Sequence, residues 1–167
     1  MCSRCSAPAA SSTEGITLRF ILVDEILELT PGREIIAQRR ISPDEEFFQD
    51  HFPGFPVVPG VLLTEMMAQA AGKCLYAEDT ARGIPMLAKI TSASFRDWVR
   101  PGQVAILRGH IRSSRPEFAT ADCQVDVENR QMADAQLLFT FLPRERFGAG
   151  YEDVVLTRFL NRSRARP

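Results

Sequence analysis

The chain has 167 residues, 45% hydrophobic and 25% charged, with a formal net charge of −1. That composition suits one globular domain with a packed core and short tails. A near-neutral charge gives no long-range pull toward nucleic acid or anionic membrane. No stretch reaches the roughly 20 apolar residues that a membrane span needs.

Residues 1–15 are small and polar, and they read as a disordered tail. They have no apolar core of a secretory signal, so a cytoplasmic protein is expected. Cys2 and Cys5 form a C-x-x-C, but nothing in the chain supplies the second half of a metal site, so no metal is expected. Cys74 and Cys123 stand in apolar surroundings and read as small core residues.

From Ile16 to Leu29 apolar residues with interspersed acids suggest extended structure, ending at the turn pair Pro31-Gly32. Arg33–Ile41 reads as a second strand. Ser42 followed by Pro43 looks like a helix start, carrying Phe47 and Phe48. Next comes the loop Asp50–Gly60. Its three prolines fix φ and remove three backbone donors, so what it carries is held in place. Val61–Ala77 contains no proline and many good helix formers, and it is the longest predicted helix.

The rest reads as strands. These are Met86–Phe95, Val104–Arg112, Phe118–Val127 and Met132–Leu142, the second and third with clear alternation, separated by breaks at Val99–Gly102, Arg115–Glu117 and Asn129-Arg130. In the third of these, Ala119, Ala121, Cys123, Val125 and Val127 share a face. Residues 144–167, with six arginines against three acids, read as a partly ordered extension. One helix cannot cover both faces of a parallel sheet. The expected class is therefore α+β, with five to six largely antiparallel strands wrapped around one long helix in a domain spanning residues 16–143.

The helix is apolar nearly all round, the mark of a buried helix. Glu65 shares a face with Val61, Ala68 and Gly72. A carboxylate there loses hydration, which favours its protonated form and suits it to donate a proton. The bland alternatives are an escape to solvent or an arginine partner. Pro59-Gly60 opens the helix, where backbone N–H groups lack intrahelical partners and the dipole favours a developing oxyanion. Glu65 follows about 8 Å along the axis. His51 is one of two histidines. Its apolar, stiff surroundings favour a neutral imidazole in a fixed position, which suits a general base. His110, within a predicted strand, reads as structural or surface.

The run FFQDHFPGFPVVPGVLLTEMMAQAAG, Phe47 to Gly72, resembles the signature of the 3-hydroxyacyl-acyl-carrier-protein dehydratases of fatty-acid synthesis. That signature has the same HFPG corner, a P-x-x-PG lead-in to the helix, and an acid fourteen residues after the histidine. Arg19–Asp24 resembles the family's N-terminal R-x-PFLLVD segment. Phe95–Gly102 resembles its F-K/R-x-x-V-x-PG segment. The resemblance covers roughly residues 16–142.

The resemblance implies a hotdog fold, homodimers or trimers of dimers, and an active site at the dimer interface. It implies His51 as the base that removes the α-proton of a 3-hydroxyacyl thioester. Glu65 would protonate the departing hydroxyl, and the Gly60 N–H would hold the thioester carbonyl. No cofactor is implied. Phe52, Val57, Val61, Met66 and Phe95 are the expected lining of an acyl tunnel. The partner would be acyl carrier protein, or coenzyme A as carrier. A carrier protein is acidic, so Arg96 and Arg100 are the leading docking residues, followed by Arg108, Arg112 and the arginines after Pro143.

Departures from the family pattern are Asp50 for Gly, Trp98 for Pro, Gln103 for Asp, Lys89 for Gly, and Pro85-Met86 where many relatives carry tyrosine. They suggest a specialised relative. Asp50 is expected to raise the pKa of His51 by its charge. Two other readings compete: a hotdog thioesterase, and a non-catalytic subunit that binds carrier protein or an enzymatic partner. The HFPG–PG–Glu arrangement argues against the first, and retention of both His51 and Glu65 against the second.

Overall fold

A computed structural model describes residues 20–147 and 152–164. The predicted N-terminal tail 1–15, with Cys2 and Cys5, lies outside the described residues, as do residues 16–19, Arg19 among them.

The alternating segments become strands as expected. β1 (Glu25–Thr30) and β2 (Glu34–Arg40) form a hairpin, and α1 (Gly60–Glu78) follows. β3 (Ile84–Phe95), β4 (Val104–Ser114), β5 (Phe118–Val127) and β6 (Arg130–Leu142) complete one sheet, in the order β1-β2-β4-β5-β6-β3. Every neighbouring pair is antiparallel. The sheet wraps α1, which packs against β2 to β6. This is the hotdog arrangement.

Small residues let helix and sheet approach. Ala68, Ala70 and Ala71 of α1 share one buried cluster with Ala105, Ala119, Ala121, Ala133 and Ala135 of the strands. At Gly109 on β4 an added Cβ would lie 3.6 Å from Ala71 and 3.0 Å from Ile35, so the backbones meet there without a side chain between them. In β5, Ala119, Ala121, Cys123, Val125 and Val127 are all buried, as the period-two alternation requires.

Three local expectations need correction. No helix starts at Ser42–Pro43. Glu45 is extended (φ −63°, ψ 128°), and a single 3-10 turn runs only from Glu46 to Gln49. Ser42 Oγ accepts from the Asp44 N–H at 3.2 Å, closing a local turn in place of a cap. The β5–β6 turn sits one residue earlier than predicted. Glu128 (φ 51°) and Asn129 (φ 64°) are its left-handed pair, as a two-residue I′ hairpin demands, and Arg130 already pairs with Val127 in the ladder. Finally, the C-terminal region contains α2 (Val154–Arg164), for which no element was predicted. Its Val155 and Leu156 are buried in the core cluster, and Phe159 packs on that cluster. α2 lies against β1.

Candidate active site

The proline-rich loop is tied down by its own backbone. The His51 N–H donates to Phe47 O at 2.9 Å, and the Val57 N–H donates to His51 O at 3.0 Å. Phe52 and Phe55 exchange N–H···O bonds of 3.2 and 2.9 Å across Pro53-Gly54. The Val58 N–H reaches Val99 O at 2.8 Å, which anchors the loop's far end to the segment after β3. Phe47 and Phe48 pack on the core beneath. The His51–Phe52 peptide bond is cis.

The imidazole of half-buried His51 is oriented on two sides. Its Nδ1 lies 3.0 Å from Val57 O, and the ring stacks on Phe52 with centroids 4.2 Å apart. A carbonyl oxygen only accepts, so this contact fixes the proton on Nδ1. The Nε2 lone pair of the neutral ring is left available, which is the state a general base needs.

The loop delivers the chain to the start of α1. Pro59 O accepts from the Leu62 N–H at 2.9 Å and the Leu63 N–H at 3.3 Å. The N–H groups of Gly60 and Val61 have no acceptor among the described residues, so they remain free for an anionic oxygen. The Phe95 ring lies over Gly60: an added Cβ would meet its carbons at 3.0–3.1 Å. Of the five expected tunnel residues, Phe52, Val61 and Phe95 are exposed, while Val57 and Met66 are buried. Val61 is the most open, at 74%.

Glu65 lies one turn further on, half-buried. It lines a cavity of about 570 Å³ formed by one face of α1 (Glu65, Ala68, Gln69, Gly72, Lys73, Tyr76), the β3 residues Pro85 to Leu87, and the segment Glu152–Val155. None of the five expected tunnel residues lines it, and neither does His51. Among the described residues no hydrogen bond joins His51 to Glu65. Within the single chain the two sit in separate environments.

Two polar residues not singled out from the sequence share this face. Gln69 Nε2 donates to Glu65 Oε1 at 3.0 Å and to Phe20 O at 3.2 Å, while its Oε1 accepts from the Leu22 N–H at 2.8 Å. Lys73 Nζ donates to Asp153 Oδ2 at 2.6 Å, with both side chains about nine-tenths buried. The signal for both was their four-residue and eight-residue spacing from Glu65 on an otherwise apolar helix.

The arginines expected at a docking surface differ in their partners. Arg96 is held by Asp134, Arg108 by Asp126 and Arg112 by Asp122. Arg100 has no carboxylate partner among the described residues. It lies over the Phe55 ring at 4.7 Å, and Phe55 meets Trp98 edge-on at 5.6 Å. Trp98 is 59% exposed. His110 is exposed on β4. Among the described residues no group of three or more His, Cys, Asp and Glu side chains gathers as a metal site would.

Comparison with known proteins adds to this geometry. Residues 17–136 match a family model described as a FabA-like domain. The 3-hydroxyacyl-(acyl-carrier-protein) dehydratase FabZ of Ruminiclostridium cellulolyticum is 36% identical over 121 residues, covering 72% of this chain and 85% of the relative. The dehydratase of the same name from Lactobacillus helveticus is 38% identical over 121 residues, covering 72% and 82%. Among solved structures, the dehydratase heterocomplex ApeI:P from Xenorhabdus doucetiae is similar with TM-score 0.53 at 18% identity, over 68% of this chain and 92% of that one. The smu.793 protein of Streptococcus mutans, bound to acetyl CoA, is similar with TM-score 0.59 at 10% identity, over 78% and 97%. At such identities the structural likeness bears on the fold.

Proposed function

The chain belongs to the FabA-like family, and on that premise we propose that it removes water from a 3-hydroxyacyl thioester on acyl carrier protein to give the trans-2-enoyl thioester. His51 Nε2 takes the α-proton. The negative charge that builds on the thioester oxygen is held by the Gly60 N–H and the positive end of α1. Protonated Glu65 gives its proton to the departing β-hydroxyl, which leaves as water. His51 then loses and Glu65 regains a proton through solvent, so the cycle balances. What supports the base assignment above all is the 3.0 Å contact of His51 Nδ1 with Val57 O, which leaves Nε2 as the basic nitrogen.

The site is completed by a second copy of the chain. β3 is an edge strand, paired on one side only, and carries exposed Met86, Ile90 and Phe95. Phe20, Phe52 and Val61 are exposed as well. An open edge with apolar side chains favours pairing with another strand. Pairing two copies along β3 brings His51 of one against Glu65 of the other, as the family resemblance implies, and supplies the meeting that a single protomer lacks. Arg100, free of a carboxylate, is the residue best suited to an acidic carrier.

The test is direct. The protein is incubated with 3-hydroxyacyl and 2-enoyl thioesters on carrier protein and on coenzyme A, and water loss or addition is followed for the wild type, His51→Ala and Glu65→Gln. Interconversion that both variants abolish is expected. No interconversion with any substrate refutes the reading, and release of free thiol replaces it with thioester hydrolysis.

A further inference from the structure

The Glu65 cavity follows one face of α1, from Glu65 through Ala68, Gln69, Gly72 and Lys73 to Tyr76. That is about 16 Å along the axis. Apolar groups line its sides: Ile21, Pro85, Met86, Leu87 and Phe139. Its second half changes character. Lys73, about 12 Å from Glu65 along the axis, is buried and bonded at 2.6 Å to Asp153, and Glu152–Val155 contributes the wall beside it.

This wall is anchored from three directions. Asp153 Oδ2 takes the Lys73 ammonium. Asp153 Oδ1 accepts from the Val155 and Leu156 N–H groups at 3.2 and 3.0 Å, capping α2. Val155 and Leu156 are themselves buried in the core, at 7% and 3% exposure. An apolar chain entering from Glu65 therefore meets a fixed pair of charged groups. To pass, it must separate the pair and leave a buried charge uncompensated, which costs far more than a methylene gains.

We propose that the Lys73–Asp153 pair and the segment Glu152–Val155 form a charged barrier in the acyl cavity, about one helical turn before Tyr76, and set an upper limit on acyl chain length. The proposal rests on the reading above, in which Glu65 stands at the reacting carbons, and adds to it that the acyl chain lies along α1 in the Glu65 cavity. It gives the C-terminal segment a role in substrate selection.

The test uses the full chain and the double variant Lys73→Ala/Asp153→Asn. The variant removes both charges together, keeps a side-chain acceptor at the α2 cap, and vacates the volume of the lysine stem. Its fold is checked by thermal melting. Binding of saturated acyl-pantetheine thioesters, from butanoyl to hexadecanoyl, is measured by calorimetry for both proteins. Wild-type affinity should rise with length and then drop at a cutoff. The folded double variant should move that cutoff to longer chains, gaining about tenfold at the first length the wild type rejects. A wild type without a cutoff overturns the proposal. So does a folded variant with the same cutoff, or a wild type that binds no acyl thioester. Dehydration is read separately. A moved cutoff without turnover sinks the dehydratase and leaves the wall, whereas turnover with an unmoved cutoff does the reverse. A change in melting temperature alone, with the cutoff unmoved, reduces the pair to a structural clamp and refutes the proposal.

Discussion

Gln69 holds the carboxyl group of Glu65 at 3.0 Å and is itself held by the backbone at Phe20 and Leu22. The orientation of the proposed acid is thus set by a segment outside its own helix. Gln69 touches no reacting atom in the proposed mechanism, so it is a positioning residue. The same amide fastens the Phe20–Leu22 segment to α1.

Gln69→Leu keeps the side-chain bulk and removes all three bonds. The carboxyl group of Glu65 is then free to rotate, and kcat should fall by up to about a hundredfold while KM changes little. If Gln69 acts only through Glu65, adding Gln69→Leu to Glu65→Gln should cost almost nothing further. Steady-state kinetics on the two single variants and the double variant check this. Full additivity would show that Gln69 acts elsewhere.

Because His51 does not line the Glu65 cavity within the single chain, and the proposed site spans two copies, subunit mixing should be diagnostic. His51→Ala and Glu65→Gln should each lower kcat by at least about a hundredfold. Unfolding and refolding the two inactive variants together should restore activity, since a mixed dimer contains one site with both groups intact. Activity that stays at the level of either variant alone would place both groups of a site on the same protomer.

Much of this was legible in the sequence, and the failures have physical causes. Phe118–Val127 matches β5 end to end because one face is buried and the alternation is strict. Val61–Ala77 falls one residue short of α1 at each end because no side chain caps Pro59 and the helix needs none to begin at Gly60. Glu65 stood out as an acid on a buried helix. Its companions did not, because their partners are remote: Lys73 and Asp153 are 80 residues apart, and Gln69 bonds to backbone 47 and 49 residues away. α2 was missed because its buried stripe is short, although Asp153 before Val155, Leu156 and Phe159 is a capped helix start.

Arg100 differs from Arg96, Arg108 and Arg112 in having an aromatic ring in place of a carboxylate, over Phe55 at 4.7 Å. Its charge is therefore not neutralised locally. Arg100→Glu should raise KM for carrier-bound substrate by about tenfold at low salt, with the difference shrinking as screening increases. Substrate on free pantetheine should show no such change. Arg108→Glu, which removes the partner of Asp126, is the comparison. Equal effects of both variants would make the docking contribution one of general charge alone.

Burial raises the thiols of Cys74 and Cys123, to about 11 and about 12. Both should resist a thiol reagent at pH 8 in the native state and react on unfolding. A Cys2→Ser/Cys5→Ser background confines the readout to these two. A thiol whose folded pKa is raised stays protonated in the native state while the unfolded chain ionises. Its stabilisation is complete below the unfolded value and is lost as pH rises toward the folded one. Stability to urea should therefore fall between about pH 9 and pH 11, and Cys74→Ala/Cys123→Ala should flatten that slope.

The Lys73–Asp153 pair should be unequal in its two halves. Asp153 keeps two backbone N–H donors on Oδ1 when Lys73 is removed, whereas Lys73 has no other hydrogen-bond partner among the described residues when Asp153 is removed. Breaking a buried pair from one side typically costs about 3–5 kcal/mol because a charge is left uncompensated. Asp153→Ala should reach that range and also forfeit the α2 cap, which adds about 1 kcal/mol. Lys73→Met should cost less. The double variant Lys73→Met/Asp153→Asn, with no charge to bury and an acceptor still at the cap, should be more stable than Asp153→Ala. Urea unfolding of all three at one fixed protein concentration measures the differences, since the stability of the proposed dimer depends on concentration. Equal losses for Lys73→Met and Asp153→Ala would mean that the backbone donors at α2 do not sustain the carboxylate on their own.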